Sequence, residues 1–128
     1  MQYSRFWNML GVMTAFLSQP SFWILTALAS GRRHGYEILR ETSDASGGRV
    51  SLKVASLYAA LDRLEAEGAI TPDGEEIVAG RARRYFVITQ QGAARLSAEV
   101  YLMERSARAA RTQLVALGFA YAPAGLIA

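Results

Sequence analysis

Three arginines, Arg81, Arg83 and Arg84, crowd beside Gly80 in a run that otherwise reads as extended chain. Guanidinium groups gathered at a tight turn suit charge-assisted hydrogen bonding to an anion such as phosphate. A second set of candidates lies upstream, in residues 51–68, SLKVASLYAALDRLEAEG. There Ala55, Ser56 and Ala59 leave one side of a helical pattern almost bare, without the Glu/Lys coat of a solvated helix, so another surface can approach closely. The groups needed for catalysis are missing. The chain has no cysteine and one histidine, His34, and it shows no Ser/His/Asp ordering, phosphate-cradling glycine loop or paired carboxylates. His34 lacks the convergent partners of a metal ligand and is read as a helix-start residue. Neither an enzyme nor a cofactor nor a bound metal is expected.

The elements that must hold these groups follow from periodicity. In residues 51–68, Val54, Leu57, Leu61 and Leu64 fall at three-and-four spacing and form a face to be buried. Ser51 or Lys53 stands where the first backbone N–H groups are unpaired, and Gly68 stands at the C′ position. Upstream, Phe6, Met9, Leu10, Met13, Phe16 and Leu17 form one amphipathic stripe. Pro20 can open a short core helix through Ala29, residues 30–33 read as a turn, and a third helix begins at His34 with Tyr36 and Leu39 toward the core. Residues 49–52 alternate like a very short strand. After Gly68, residues 75–78 and 83–88 read as two strands joined through 79–82, a hairpin with a basic tip. Thr89 is placed to cap a last helix. In that helix Ala93, Leu96, Val100, Met103, Ala107, Ala110, Leu114 and Leu117 form a heptad seam suited to packing against another helix.

Composition sets outer bounds. A chain of 128 residues with 52% hydrophobic residues is expected to hold one small domain, for which association is an advantage. Fourteen Lys+Arg against 11 Asp+Glu leave a net charge of only +3, so the distribution of charge matters more than its total. The absence of cysteine fits a reducing cytoplasm, which is the expected location. The apolar N-terminal third and Ala27-Leu28-Ala29 imitate a signal peptide, but Arg5 is the only early basic residue. Residues 18–21 also interrupt the run a membrane helix requires, so no membrane association is expected.

Three compact helices followed by a hairpin give the winged helix-turn-helix plan, a mainly α (α+β) fold in which one helix enters the major groove of DNA. The segments HGYEILRE, SLYAALDRLEAEGAI and GRARRYFVITQQGAARL resemble, in this order and spacing, the PadR family of bacterial transcriptional regulators, over about residues 22–96. The resemblance implies a homodimeric repressor of nearby genes, joined through its C-terminal helix with help from an N-terminal one. In many members a small ligand releases it. Ser56-Leu57-Tyr58 falls on the family's small-hydroxyl, Leu, Tyr signature, which implies DNA contact by Ser56 and Tyr58, with Lys53 at the helix start on phosphate or a base edge. The competing reading has Ser56 bonded to its own backbone and Tyr58 packed at the core edge. On the wing, Arg81, Arg83 and Arg84 are all candidates for phosphate contact; a two-residue turn at Ala79-Gly80 would set Glu76 opposite Arg83 and Glu75 opposite Arg84, a competing use for those two that leaves Arg81 the firmest. Arg63 is read as solvated or paired with Glu67.

The chain is thus expected to divide into an N-terminal amphipathic helix (1–19), a DNA-binding winged helix (20–89), a C-terminal dimerisation helix (90–118) and a tail (119–128). Phe6, Met9 and Met13 would join the seam Leu96, Val100, Met103, Ala107, Ala110, Leu114 and Leu117 at the dimer contact. Trp7, Phe16, Phe22, Trp23 and Met103 could line a chamber there for a flat apolar or aromatic effector; the alternative is a plain dimer core. Some members that bind flat drugs place a tryptophan on the C-terminal helix, and this chain has none there. Two other functions remain open on sequence alone, a winged-helix module that binds protein and a ligand-binding scaffold without DNA contact.

Overall fold

The computed structural model describes residues 17–119. Phe6, Trp7, Met9, Met13 and Phe16 lie outside them. The order of elements is α1 (Gln19–Ala29), β1 (Arg33–His34), α2 (Gly35–Ala45), α3 (Val54–Ala66), β2 (Ile70–Val78), β3 (Arg81–Ile88) and α4 (Gln90–Ala116). Helices α1 to α3 enclose a core of Ile24, Leu25, Leu28, Ile38, Leu57, Leu61 and Leu64, closed on the sheet side by Ile70 and Phe86. The result is a winged helix with a long helical extension.

Local chemistry explains most boundaries. Ser18 caps α1 by accepting the Ser21 N–H, with Pro20 in the first turn. His34 caps α2 through a reciprocal capping box: its Nδ1 accepts the Glu37 N–H at 3.3 Å, and Glu37 Oε1 accepts the His34 N–H at 3.0 Å. At the end of α3 the Gly68 N–H reaches the Glu65 carbonyl and the Ala69 N–H reaches Leu64, a Schellman closure that needs the left-handed φ of 77° at Gly68. Thr89 caps α4 by accepting the Gly92 N–H.

Several expectations are corrected. Residues 49–52 form no strand; the third strand is Arg33–His34, read from sequence as turn and helix start, and it pairs antiparallel with Phe86 and Tyr85 in the order β1-β3-β2. The hairpin arms are longer than expected because the strand resumes on both sides of a bulge between Pro72 and Glu75. Arg32 holds that bulge, with its Nε 2.8 Å from the Asp73 carbonyl and 3.1 Å from Oδ2 and its guanidinium 3.8 Å above the Tyr85 ring. Tyr36 does not face the core and is 63% exposed; Ile38 takes that place. Val54, the first residue of α3, is 58% exposed rather than buried with Leu57 and Leu61, because α1, α2 and the sheet cover only the later turns of that stripe.

Candidate nucleic-acid interface

The first turns of α3 and the wing meet across an open cleft of about 300 Å³, lined by His34, Tyr36, Val54, Tyr58, Arg81, Arg83 and Arg84 among others. Tyr58 is 54% exposed and its hydroxyl lies over the start of α2, 3.2 Å from where a β-carbon on Gly35 would sit. Any side chain at residue 35 would press on that phenol. Lys53, Ala55, Ser56 and Ala59 are exposed on the same helix. Lys53 occupies the N-cap position without a side-chain cap bond, since an ammonium has no acceptor to offer the free N–H groups.

On the wing, Val78 pairs with Arg81 around Ala79-Gly80, both residues having positive φ (53° and 77°), as a two-residue type I′ connection requires. Glu76 lies opposite Arg83 and Glu75 opposite Arg84, the register expected from that turn. The charges pair otherwise. Arg84 shares a strand face with Phe86, lies 5.2 Å over its ring, and reaches Glu65 on α3 at 3.4 Å. Among the described residues, neither Arg81 nor Arg83 has an ion-pair partner. Glu76 instead accepts the Tyr85 hydroxyl at 3.4 Å; burial, reinforced by that carboxylate, pushes the Tyr85 phenol above its ordinary range. Two cations at the wing tip are thus left for an external anion, and a third ties the wing to the helix beside it.

This surface joins a helix end with few charges to a basic hairpin, and no group of three or more His, Cys, Asp or Glu that could hold a metal occurs among the described residues. Residues 24–98, well over half of the chain, match the transcriptional regulator PadR-like family. The chain belongs to that family.

The PadR-like chain is 36% identical over 74 residues to an uncharacterised protein X of Lysinibacillus sphaericus, a match covering 58% of this chain and 68% of that one. Among solved structures, a transcriptional regulator from Clostridium thermocellum superposes with a TM-score of 0.63 at 22% identity, covering 82% of this chain and 96% of the other. Bacillus subtilis PadR in complex with operator DNA superposes with a TM-score of 0.54 at 27% identity, covering 60% of this chain and 44% of that one. The family is one of transcriptional regulators, not of enzymes.

Other site residues of this PadR-like regulator fall into two further regions. Phe22, Trp23 and Met103 line a second open cleft, about 360 Å³, together with Leu17, Val50 and Glu99; the Phe22 and Trp23 rings meet edge to face at 5.2 Å. Glu99 is not among the residues expected at a site, yet it is nearly buried and accepts the Leu17 N–H at 3.3 Å. Along α4, Leu96 packs against the chain's own core. Beyond it Val100, Met103, Ala107, Ala110, Leu114 and Leu117 are exposed. Arg63 is exposed, as expected, but does not pair with Glu67; its Nη2 donates to Ser18 and Ser21 at 3.1 Å each, which fastens α3 to the start of α1. Arg32, Tyr36 and Val54 are likewise absent from the expected interface. Tyr36 and Val54 carry the helical spacing of core residues, and Arg32 acts only through a bulge that pairing creates.

Proposed function

We propose that this chain is a dimeric, sequence-specific DNA-binding repressor that acts in the cytoplasm, with α3 in the major groove and the wing tip on the adjacent backbone. The observation that carries the reading is the cleft that sets Tyr58 and the first turn of α3 beside Arg81, Arg83 and Arg84. Lys53 and the unpaired Arg81 and Arg83 would bind phosphate, while Ser56 and Tyr58 contact the duplex from the helix. Arg84, held by Glu65, serves chiefly to fix the wing and contacts phosphate only at its free edge. Bacillus subtilis PadR, matched at 27% identity, is solved in complex with operator DNA, which supports DNA as the partner. Residues 20–89 would form the DNA-binding unit, and 90–118 the helix through which two copies join; the exposed heptad stripe beyond Leu96 supports that role.

The test is fluorescence anisotropy with a duplex from the region upstream of the chain's own coding sequence, against a scrambled duplex, over a range of salt. Preferential binding that weakens steeply as salt rises is expected. Equal or absent binding would refute the reading and favour a winged helix that binds protein.

A second reading concerns release. The cleft of Phe22, Trp23 and Met103 supports a flat apolar or aromatic effector, with Trp7 and Phe16 as further expected contacts. A change in tryptophan emission that Trp23→Phe abolishes, accompanied by loss of DNA, is the expected result with such a ligand.

A further inference from the structure

The outward surface of α3 carries few groups that can form hydrogen bonds with a base. Over its first two turns the exposed residues are Val54, Ala55, Ser56, Tyr58 and Ala59, while Leu57, Ala60 and Leu61 point into the core. None of the exposed five is Arg, Lys, Asn, Gln, Asp or Glu, the side chains that read guanine, adenine or cytosine through hydrogen bonds; the nearest is Lys53, one residue before the helix. Tyr58 is drawn aside, its hydroxyl lodged over Gly35 at the rim of the cleft. The rest of the surface has Ala55 and Ala59 at its middle, Val54 on the edge toward the wing and Ser56 on the opposite edge, with one hydroxyl among them.

Val54 is the anomaly within this set. A β-branched residue restricts its side-chain rotamers in a helix and lowers helix propensity slightly. Here it also buries little, being 58% exposed at the first helical position and lining the cleft that faces the wing. In the major groove the base feature that an isopropyl group can contact favourably is the 5-methyl of thymine.

We propose that Val54 is a specificity-determining residue that reads a thymine methyl in the DNA site, so that this chain recognises its operator at that position by apolar contact rather than by a hydrogen-bonding side chain. The inference rests on the major-groove reading above and adds to it which base is chosen and by what chemistry. Ala55 and Ala59 keep the helix low enough for the groove floor to be reached.

The experiment begins with duplexes selected by the full-length chain from a randomised pool. In the tightest, each thymine is replaced in turn by deoxyuridine, which removes the methyl and leaves every hydrogen-bonding group unchanged. At one position in each half-site the affinity of the unaltered protein should fall about fourfold, the worth of one buried methyl. Val54→Ala should bind the thymine and deoxyuridine duplexes alike at that position, with a melting temperature unchanged from the parent because Val54 is exposed. A selected duplex that binds tightly yet tolerates every deoxyuridine overturns the inference while leaving DNA recognition standing. A deoxyuridine effect that persists undiminished in Val54→Ala overturns it in the same way. Failure to select any duplex overturns the DNA-binding reading itself, and this inference with it.

Discussion

The Arg95 guanidinium lies 2.7 Å from the Glu67 carboxylate, joining the second turn of α4 to the last residues of α3. Three further bonds follow the same line: the Thr89 hydroxyl donates to the Gly68 carbonyl at 2.6 Å, the Thr89 N–H to Ala69 at 3.0 Å, and the Gln91 amide to Glu67 at 3.3 Å. The helix assigned to DNA and the helix assigned to dimerisation are thus clamped end to end, although Ile70–Ile88 separates them in sequence.

Gly92 is the tightest point of that clamp. A β-carbon there would collide with the Ala69 carbonyl, which is backbone, and would crowd Ile88 at 3.0 Å. Gly92→Ala is expected to destabilise the fold by about 2 kcal/mol or more, against the gain in helix propensity that alanine otherwise brings. Chemical denaturation monitored by circular dichroism reads this directly, and a midpoint equal to the parent's would contradict the close approach.

Arg81 and Arg84 should separate in their effects. Arg81→Ala is expected to weaken DNA binding to all sequences alike and to lower the salt slope by about 1, with no change in melting. Arg84→Ala removes the contact to Glu65 as well as the packing on Phe86. The exposed pair itself is worth well under about 1 kcal/mol, so its main result should be a looser wing, read as faster amide exchange in β3. Identical behaviour of the two variants would show that the Glu65 tether does not distinguish them.

Ala79 occupies a left-handed conformation that alanine adopts at a cost of about 1 kcal/mol or more. Ala79→Asn places at the first turn position the residue type that two-residue hairpins prefer. A rise of a few degrees in melting temperature is expected, without effect on the register of Glu75 and Glu76. A fall would mean that the turn is not held as described.

The seam on α4 can be tested where it does not serve the chain's own core. Leu96 is unsuitable, since it packs against that core. Leu114 and Leu117 are 40% and 78% exposed. Leu114→Glu together with Leu117→Glu should give a monomer in sedimentation velocity while circular dichroism stays that of the parent. Persistence of a dimer would remove these two residues from the contact.

Features set by near neighbours in the chain were legible from sequence. Gly68 as a C′ residue, Thr89 and Pro20 at helix starts, and the Ala79-Gly80 turn with its register each follow from a few adjacent residues. Those created by folding were not. Arg33–His34 is a strand only because β3 lies beside it; two residues carry no period. Val54 keeps the spacing of a buried residue, but the packing on α3 begins at Leu57, so spacing misplaces it. Charge alone gives no sign that Arg63, still exposed, and Glu99 find partners near the start of α1, at Ser18, Ser21 and Leu17. For the candidate site, the basic tip is visible in the sequence, while the division between Arg84 and its two neighbours depends on Glu65, 19 positions away.

The end-to-end clamp at Gly68 and Gly92 has a mechanical consequence. With 27 residues at about 1.5 Å each, α4 is an arm of about 40 Å tied at its base to the end of α3. In the proposed dimer two such arms would work as calipers, with the crossing of the α4 helices as pivot and the two α3 helices as tips. A change of about 10° at the pivot would move a tip by several ångströms along the duplex, an appreciable part of the roughly 34 Å between successive major-groove half-sites.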